Sequence, residues 1–269
     1  MTGNESRAEH KTQSRLRPSG KRLENKLALV TGASRGIGFA IARAFAREGA
    51  HVIALARGLD GLESLDDDIQ AMGGRATLVP IDLKDHEALD RLGAEIYERW
   101  GRLDIFAANA AVLGRLTPLG HIKAEEWDEV IDVNVTANWR LIRSLDPLLR
   151  AADAGRAIFV TSGITRSCRA YWGTYSVSKA ALEALARSYA AEVATTAVRA
   201  NIVNPGATRT AMRASAMPGE DPETLPTPAT VAAAFIALAE PDVNTNGAIY
   251  DVIDGRLKLR SPLLDPSGL

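Results

Sequence analysis

Tyr175 and Lys179 stand four residues apart at the start of a stretch, Thr174 to Thr195, whose pattern predicts a helix. An i, i+4 spacing puts both side chains on one helical face. A phenol beside an ammonium has a depressed pKa, because the cation favours the phenolate. Free tyrosine titrates near pH ~10, and a unit charge roughly 4 Å away contributes about 4 kcal/mol at an effective dielectric of about 20. The pair therefore predicts a phenol able to act as general acid or base near neutrality. Ser162, thirteen residues before Tyr175 and just past the apolar run Ala157–Val160, can bring a hydroxyl to the same place. Alone, a Tyr-x-x-x-Lys on a helix is a common accident of surface composition. Its surroundings decide its meaning.

Those surroundings alternate. Short apolar runs predict strands over Leu27–Thr31, His51–Leu55, Arg75–Ile81, Leu103–Ala108, Ala157–Thr161, Val198–Val203 and Ala248–Ile253. Helical spacing predicts helices over Ile37–Glu48, Asp60–Met72, Asp85–Trp100, Ala124–Ala152, Thr174–Thr195 and Pro228–Ala239. Pro147 marks a kink or early end of the fourth. Strand followed by helix throughout predicts βαβ units and a doubly wound parallel sheet of about seven strands. No composition break divides residues 26–257, which form one domain on this reading. Residues 1–25 are polar, rich in Arg and Lys and without helical period, and predict a disordered basic arm. Residues 258–269 are read as a C-terminal tail.

The first strand runs into Gly32-Ala-Ser-Arg-Gly-Ile-Gly38, and a helix follows. A dinucleotide pyrophosphate binds at such a place: glycines admit close backbone approach, and the helix N-terminus offers free N–H groups and a favourable dipole. The spacing is G-x-x-x-G-x-G, not the G-x-G-x-x-G of the general fingerprint. Its position after the first strand gives it weight beyond a structural turn.

Composition excludes several classes. A formal net charge of −1 gives no reason to expect nucleic acid or an anionic membrane as partner. Cys168 is the only cysteine, so no internal disulfide is possible and a reducing compartment suits the chain. No apolar run approaches the ~18 residues of a membrane span, and no apolar segment follows Met1 to make a signal peptide. A cytoplasmic location is expected. His10, His51, His86 and His121 are scattered without an i, i+4 pair, so no metal site is indicated.

Taken in order, Thr31–Gly38, Asp82, Ala108-Asn-Ala-Ala111, Asn134, Ser162, Tyr175, Lys179 and Asn204-Pro-Gly206 resemble the motifs of the short-chain dehydrogenase/reductase superfamily, over about residues 25–255. The segment Asn204–Pro222 further resembles a bacterial subgroup of oxidoreductases whose label names no substrate. The resemblance implies a single-domain fold of Rossmann type and a carbonyl–alcohol oxidoreductase. Tyr175 would be its acid/base, Ser162 the donor to the substrate oxygen, and Lys179 the group that lowers the Tyr175 pKa and holds the nicotinamide ribose. Asn134 would support a water in a proton relay, and can also bond backbone at a helix irregularity.

Cofactor contacts would fall on Gly32, Ser34, Arg35, Gly36, Ile37, Gly38, Arg57, Asp82, Leu83, Asn109, Ala110, Tyr175 and Lys179, and on Pro205, Gly206, Thr208 and Thr210. Leu113, Ile164, Trp172 and Met212 would line the substrate side, where Arg166, Arg169 and Tyr171 also fall and would suit an aromatic or anionic compound. NADP(H) is expected ahead of NAD(H): the second strand ends at Ala56-Arg57, no acid occurs from His51 to Leu59, and an acid there is what repels a 2′-phosphate. Arg57 and Arg35 would instead bind it. Family members pair through the long helix after strand four and the helix of Tyr175, so a homodimer or homotetramer is expected.

Three positions depart from the family pattern. Ala111 and Gly163 stand where Gly and Ser are usual, and Arg256 follows Gly255 where a second Gly is common. None removes a reacting group. Two other functions stay open on the sequence: a dinucleotide-binding redox sensor, against which the intact acid–base group argues, and a dehydratase or epimerase on the same scaffold.

Overall fold

The computed structural model describes residues 21–261. Most of the expected basic arm, 1–20, and most of the expected tail, 262–269, lie outside the described residues. The chain alternates through β1 (Leu27–Thr31), α1 (Gly36–Arg47), β2 (His51–Ala56), α2 (Leu59–Ala71), β3 (Arg75–Pro80), α3 (His86–Trp100) and β4 (Ile105–Ala108). Then come α4 (Ala124–Ile131), α5 (Ala137–Ala151), β5 (Arg156–Val160), α6 (Ile164–Ser167), α7 (Gly173–Glu192), β6 (Arg199–Asn204) and α8 (Ala211–Ala216). The remaining elements are α9 (Pro228–Ala239), β7 (Ile249–Ile253) and β8 (Arg256–Ser261).

One sheet orders the strands β3-β2-β1-β4-β5-β6-β7-β8, parallel up to β7. Helices cover both faces, which is why β1, β4 and β5 are buried at every residue and read as unbroken apolar runs. One core lies between the sheet and α3, α5 and α7, around Phe106, Phe159, Leu145 and Leu182. The other lies under α1, α2 and α9, around Phe45, Ile41, Leu62 and Phe235. The strand order reverses between β1 and β4, and a crevice opens there at the carboxyl ends of the strands. Among the described residues no helix is long and apolar enough to cross a membrane.

Three features depart from the sequence reading. The sheet has eight strands, not about seven, because β8 returns antiparallel to β7 through the two-residue turn Asp254–Gly255, both at positive φ. Asp-Gly is a strong hairpin signal, and Leu257 and Leu259 alternate with charged residues, so the strand runs past residue 257 into the expected tail. The expected single helix over Ala124–Ala152 is three pieces, with a π-helical turn at Asp132–Thr136 between α4 and α5, and it continues past Pro147. Residues 21–25 pack on the body: Leu23 is fully buried and the Arg22 guanidinium pairs with Glu240.

Candidate active site

The glycine loop joins β1 to α1 at the crevice. Gly32 and Gly36 hold φ of +67° and +60°, a region costly to residues with a Cβ. Gly38 is needed for contact: a methyl there would strike the Gly32 carbonyl and the Asn109 amide. Asn109 in turn donates from Nδ2 to the Thr31 carbonyl at 3.0 Å, and its backbone N–H reaches Thr31 Oγ1 at 3.0 Å. The ends of β1 and β4 are thereby locked around the loop. Ala111 is not among the residues at positive φ, so its replacement of the usual Gly carries no backbone penalty.

A cleft of about 1510 Å³ runs from this loop to Tyr175. It is lined by Gly32, Ser34, Arg35, Gly36, Ile37, Arg57, Asp82, Leu83, Asn109 and Ala110 at one end. Ser162, Tyr175, Lys179, Pro205, Gly206, Thr208 and Thr210 line it further on, with Leu113, Ile164, Trp172 and Met212. Of the site residues expected from the sequence, Gly38, which lies beneath the loop, and Asn134 do not line the cleft; on the substrate side Arg169 does, while Arg166 and Tyr171 do not. At the loop end, Arg57 Nη1 is 4.0 Å from the Asp82 carboxylate and the arginine is more than half exposed. Arg35 makes no ion pair among the described residues.

Asn134 sits in the π-helical turn and is fully buried. Its Oδ1 accepts from the Val112 N–H at 2.8 Å. Its Nδ2 donates to the Val112 carbonyl at 2.9 Å and to Ser178 Oγ at 3.0 Å. Both amide hydrogens are therefore committed to protein. The side chain thereby fixes the loop after β4 to the helix of Tyr175, at the irregularity between α4 and α5.

Tyr175 lies in the first turn of α7 and is 8% exposed, its ring 6.2 Å edge-on from Trp172. Burial pushes its phenol up to about 12, and a hydrogen bond with Ser162 offsets part of that. The spacing of Tyr175 and Lys179 predicts the opposite direction, but the desolvation that comes from packing α7 against the sheet decides the shift. Lys179 is itself 1% exposed; its Nζ lies 5.9 Å from the Tyr175 ring centroid and donates to the Val160 carbonyl at 2.7 Å. Burial pushes its ammonium down to about 8, opposed by the charge of Glu183 one turn on. A protonated phenol, a hydroxyl bonded to it and a buried lysine thus share one wall of the cleft.

Sequence reasoning missed α8, which carries Met212 and Arg213 along the cleft. The signal was present: Thr210 caps this helix, its hydroxyl accepting the Arg213 N–H at 3.1 Å. No cluster of His, Cys, Asp or Glu among the described residues is arranged to hold a metal ion.

The profile of the family described as short chain dehydrogenase matches residues 26–221. The chain is 38% identical over 238 residues to the uncharacterized oxidoreductase YciK of Escherichia coli K12, a match covering 87% of this chain and 94% of that protein. A solved short chain dehydrogenase from Shigella flexneri 2a, complexed with NADP, has a TM-score of 0.83 at 37% identity, covering 86% of this chain and 98% of that one. Another from Escherichia coli CFT073, complexed with NADPH, has a TM-score of 0.82 at 38% identity, covering 87% and 99%.

Proposed function

The chain belongs to the short-chain dehydrogenase family of oxidoreductases, and on that premise we propose that it interconverts a carbonyl and an alcohol with NADP(H), using Tyr175 as the acid/base. The observation that carries this reading is the shared cleft: a phenol bonded to Ser162 at one end and the glycine loop at the other. The loop fits a dinucleotide, since Gly32 and Gly36 take a backbone conformation that leaves no side chain over the helix N-terminus. Gly32, Gly36, Asn109, Asp82, Thr208 and Thr210 would hold the cofactor. Bound there, a nicotinamide supplies or accepts the hydride.

In the reduction direction the Tyr175 hydroxyl gives its proton to the substrate oxygen. Ser162 donates a hydrogen bond to the same oxygen as charge develops on it. Lys179, charged below about pH 8, favours the phenolate left behind. Asn134 positions the loop at Val112 and the start of α7 relative to each other. Leu113, Ile164, Trp172 and Met212 present a mainly apolar wall, which suits a small-molecule carbonyl compound with an apolar or aromatic body. The test is a screen of ketones, aldehydes and alcohols that follows the near-ultraviolet absorbance of the reduced nicotinamide. No turnover of any carbonyl or alcohol would favour a redox sensor or a different chemistry on the scaffold.

NADP(H) is the preferred cofactor on this reading, supported by Ala56 at the end of β2, by the neighbouring Arg57 and Arg35, and by the NADP and NADPH bound to the two solved relatives. Among the described residues Arg57 pairs with Asp82, 4.0 Å away, and its exposed guanidinium stays available to a phosphate. With one accepted substrate, kcat/KM is expected to be at least ~10-fold higher for NADPH than for NADH, and Arg57→Ala is expected to shrink that ratio. NADH equal to NADPH in the parent protein would overturn the assignment. Loss of no preference in Arg57→Ala would move the role to Arg35.

A cytoplasmic homodimer or homotetramer completes the reading. Trp139 on α5 and Val177 on α7 are 45% and 44% exposed, on the two helices through which a second copy would pack. Light scattering at micromolar concentration should give at least twice the chain mass; a monomer would refute this part.

A further inference from the structure

The last strand carries an ionic group that reaches both turns beside the reaction cleft. The β7–β8 register shifts so that Ile249 faces Ser261 while Tyr250 faces Leu259, which leaves Arg260 as the extra residue of a bulge. Bulges re-aim a side chain, and here the Arg260 side chain is only 10% exposed. Its Nε and Nη2 donate to Asp251 Oδ1 at 2.9 and 2.6 Å, and its Nη1 reaches Glu183 Oε1 at 3.5 Å. One guanidinium thus spans β7 and α7.

Each carboxylate then bonds a different turn. Asp251 Oδ1 also accepts from Asn204 Nδ2 at 2.7 Å, and Asn204 Oδ1 accepts the Gly206 N–H at 3.2 Å. Glu183 Oε1 accepts from Thr161 Oγ1 at 2.6 Å and from Thr165 Oγ1 at 3.0 Å. Thr161 and Thr165 bracket Ser162, and Gly206 follows the Pro205 that borders the cleft. We infer that Arg260 is a positioning residue: through Asp251 and Glu183 it fixes the Ser162 turn and the Asn204–Gly206 turn relative to each other across the cleft.

The chemistry requires a guanidinium. A planar fork can donate to two carboxylates on separate elements at once, whereas an ammonium is a point charge that serves one of them well. Without Arg260, Glu183 and Asp251 would be two poorly solvated anions, with only the non-bonded charge of Arg166 acting on Asp251, and the turns they hold would separate. Displacement of a catalytic group by about 1 Å can cost roughly 100-fold in rate even when the altered residue touches no substrate.

This assignment rests on the proposed reading of the cleft as the reaction site, and its test has one arm that needs no turnover. Amide hydrogen exchange of the full chain is compared for the parent protein, Arg260→Met and Arg260→Lys. Expected is faster exchange in residues 161–167 and 204–208 of Arg260→Met, by roughly 10-fold or more, with β1, β2 and β3 unchanged. Arg260→Lys should restore thermal stability and recover one turn more than the other. In the kinetic arm, kcat for an accepted carbonyl should fall ~10- to ~100-fold in Arg260→Met, with the Kd for NADPH within ~3-fold of the parent. Exchange that rises evenly over the whole sheet, or that does not rise at either turn, would overturn the inference; if Arg260→Met does not fold, the same outcomes are read from Arg260→Lys. Absence of all turnover in the parent protein would count against the carbonyl reading alone, since the exchange arm still decides on Arg260.

Discussion

Tyr175→Phe is expected to lower turnover at least ~100-fold, the usual scale of a positioned general acid–base, while NADPH affinity stays within ~3-fold. The substitution removes one oxygen and keeps the ring in its packing against Trp172. With burial holding the phenol up to about 12, the group is protonated at neutral pH, so the reduction direction starts with its proton donor loaded. Phenylalanine has no proton to give. Ser162 loses its partner at the phenol but keeps its contact with the Ile164 N–H at 3.3 Å, so the turn it sits on has a reason to stay in place. Steady-state kcat with one accepted ketone, and NADPH binding followed by fluorescence, separate the two quantities. Turnover within a few-fold of the parent would remove Tyr175 from the mechanism. A large rise in the NADPH Kd would instead show that the phenol serves the cofactor site.

The parallel part of the fold is legible in the sequence because parallel strands are covered on both faces. Leu27–Thr31 is an unbroken apolar run and is a strand over those same residues. Pro228–Ala239 is likewise a helix at its expected limits, with Thr227 as the cap and Pro228 in the first turn. The cleft is legible for a related reason. The glycine loop and Ser162 sit where a strand gives way to a loop or helix, Tyr175 and Lys179 lie in the first turns of α7, and the doubly wound order gathers them at one crevice.

What was not legible depends on three-dimensional burial or on local irregularity. The π-helical turn at Asp132–Thr136 has no periodicity of its own; it exists where the Asn134 amide takes over both backbone groups of Val112, a residue far along the chain. The direction of the Tyr175 shift needs the desolvation, which no spacing reveals. The β8 hairpin is the different case. Its Asp254–Gly255 turn and alternating Leu257 and Leu259 were readable, and with them would have come Arg260.

Lys179→Met is expected to make the protein more stable at pH 7 and much less active. The ordinary lysine value of 10.5 falls to about 8 in the fold, because burial disfavours the ammonium more than Glu183 favours it. That difference corresponds to a penalty on the order of 3 kcal/mol for carrying the charge at neutral pH. Methionine has similar length and no charge to bury, although the Val160 carbonyl loses a donor at 2.7 Å, a cost of about 1 kcal/mol. The pH dependence follows from the sign of the shift. Below about pH 8 the amine is charged in both states, and the folded protein bears the full penalty. Between about 8 and 10.5 the folded protein has released the proton while the unfolded chain still holds it, so parent stability gains with rising pH and the advantage of the variant shrinks. Thermal unfolding of both proteins from pH 7 to ~9.5 should show the variant higher by roughly 2–8 °C at the acid end, with the gap closing toward the alkaline end. At pH 7, where Lys179 of the parent is charged, kcat/KM with NADPH should be at least ~100-fold below the parent, because the charge that favours the Tyr175 phenolate is gone. A variant that unfolds below the parent at pH 7, or a gap that does not change with pH, would show that the buried ammonium is not the strained group described here. The cation would then be satisfied by its surroundings, and its place beside Tyr175 would cost the fold nothing.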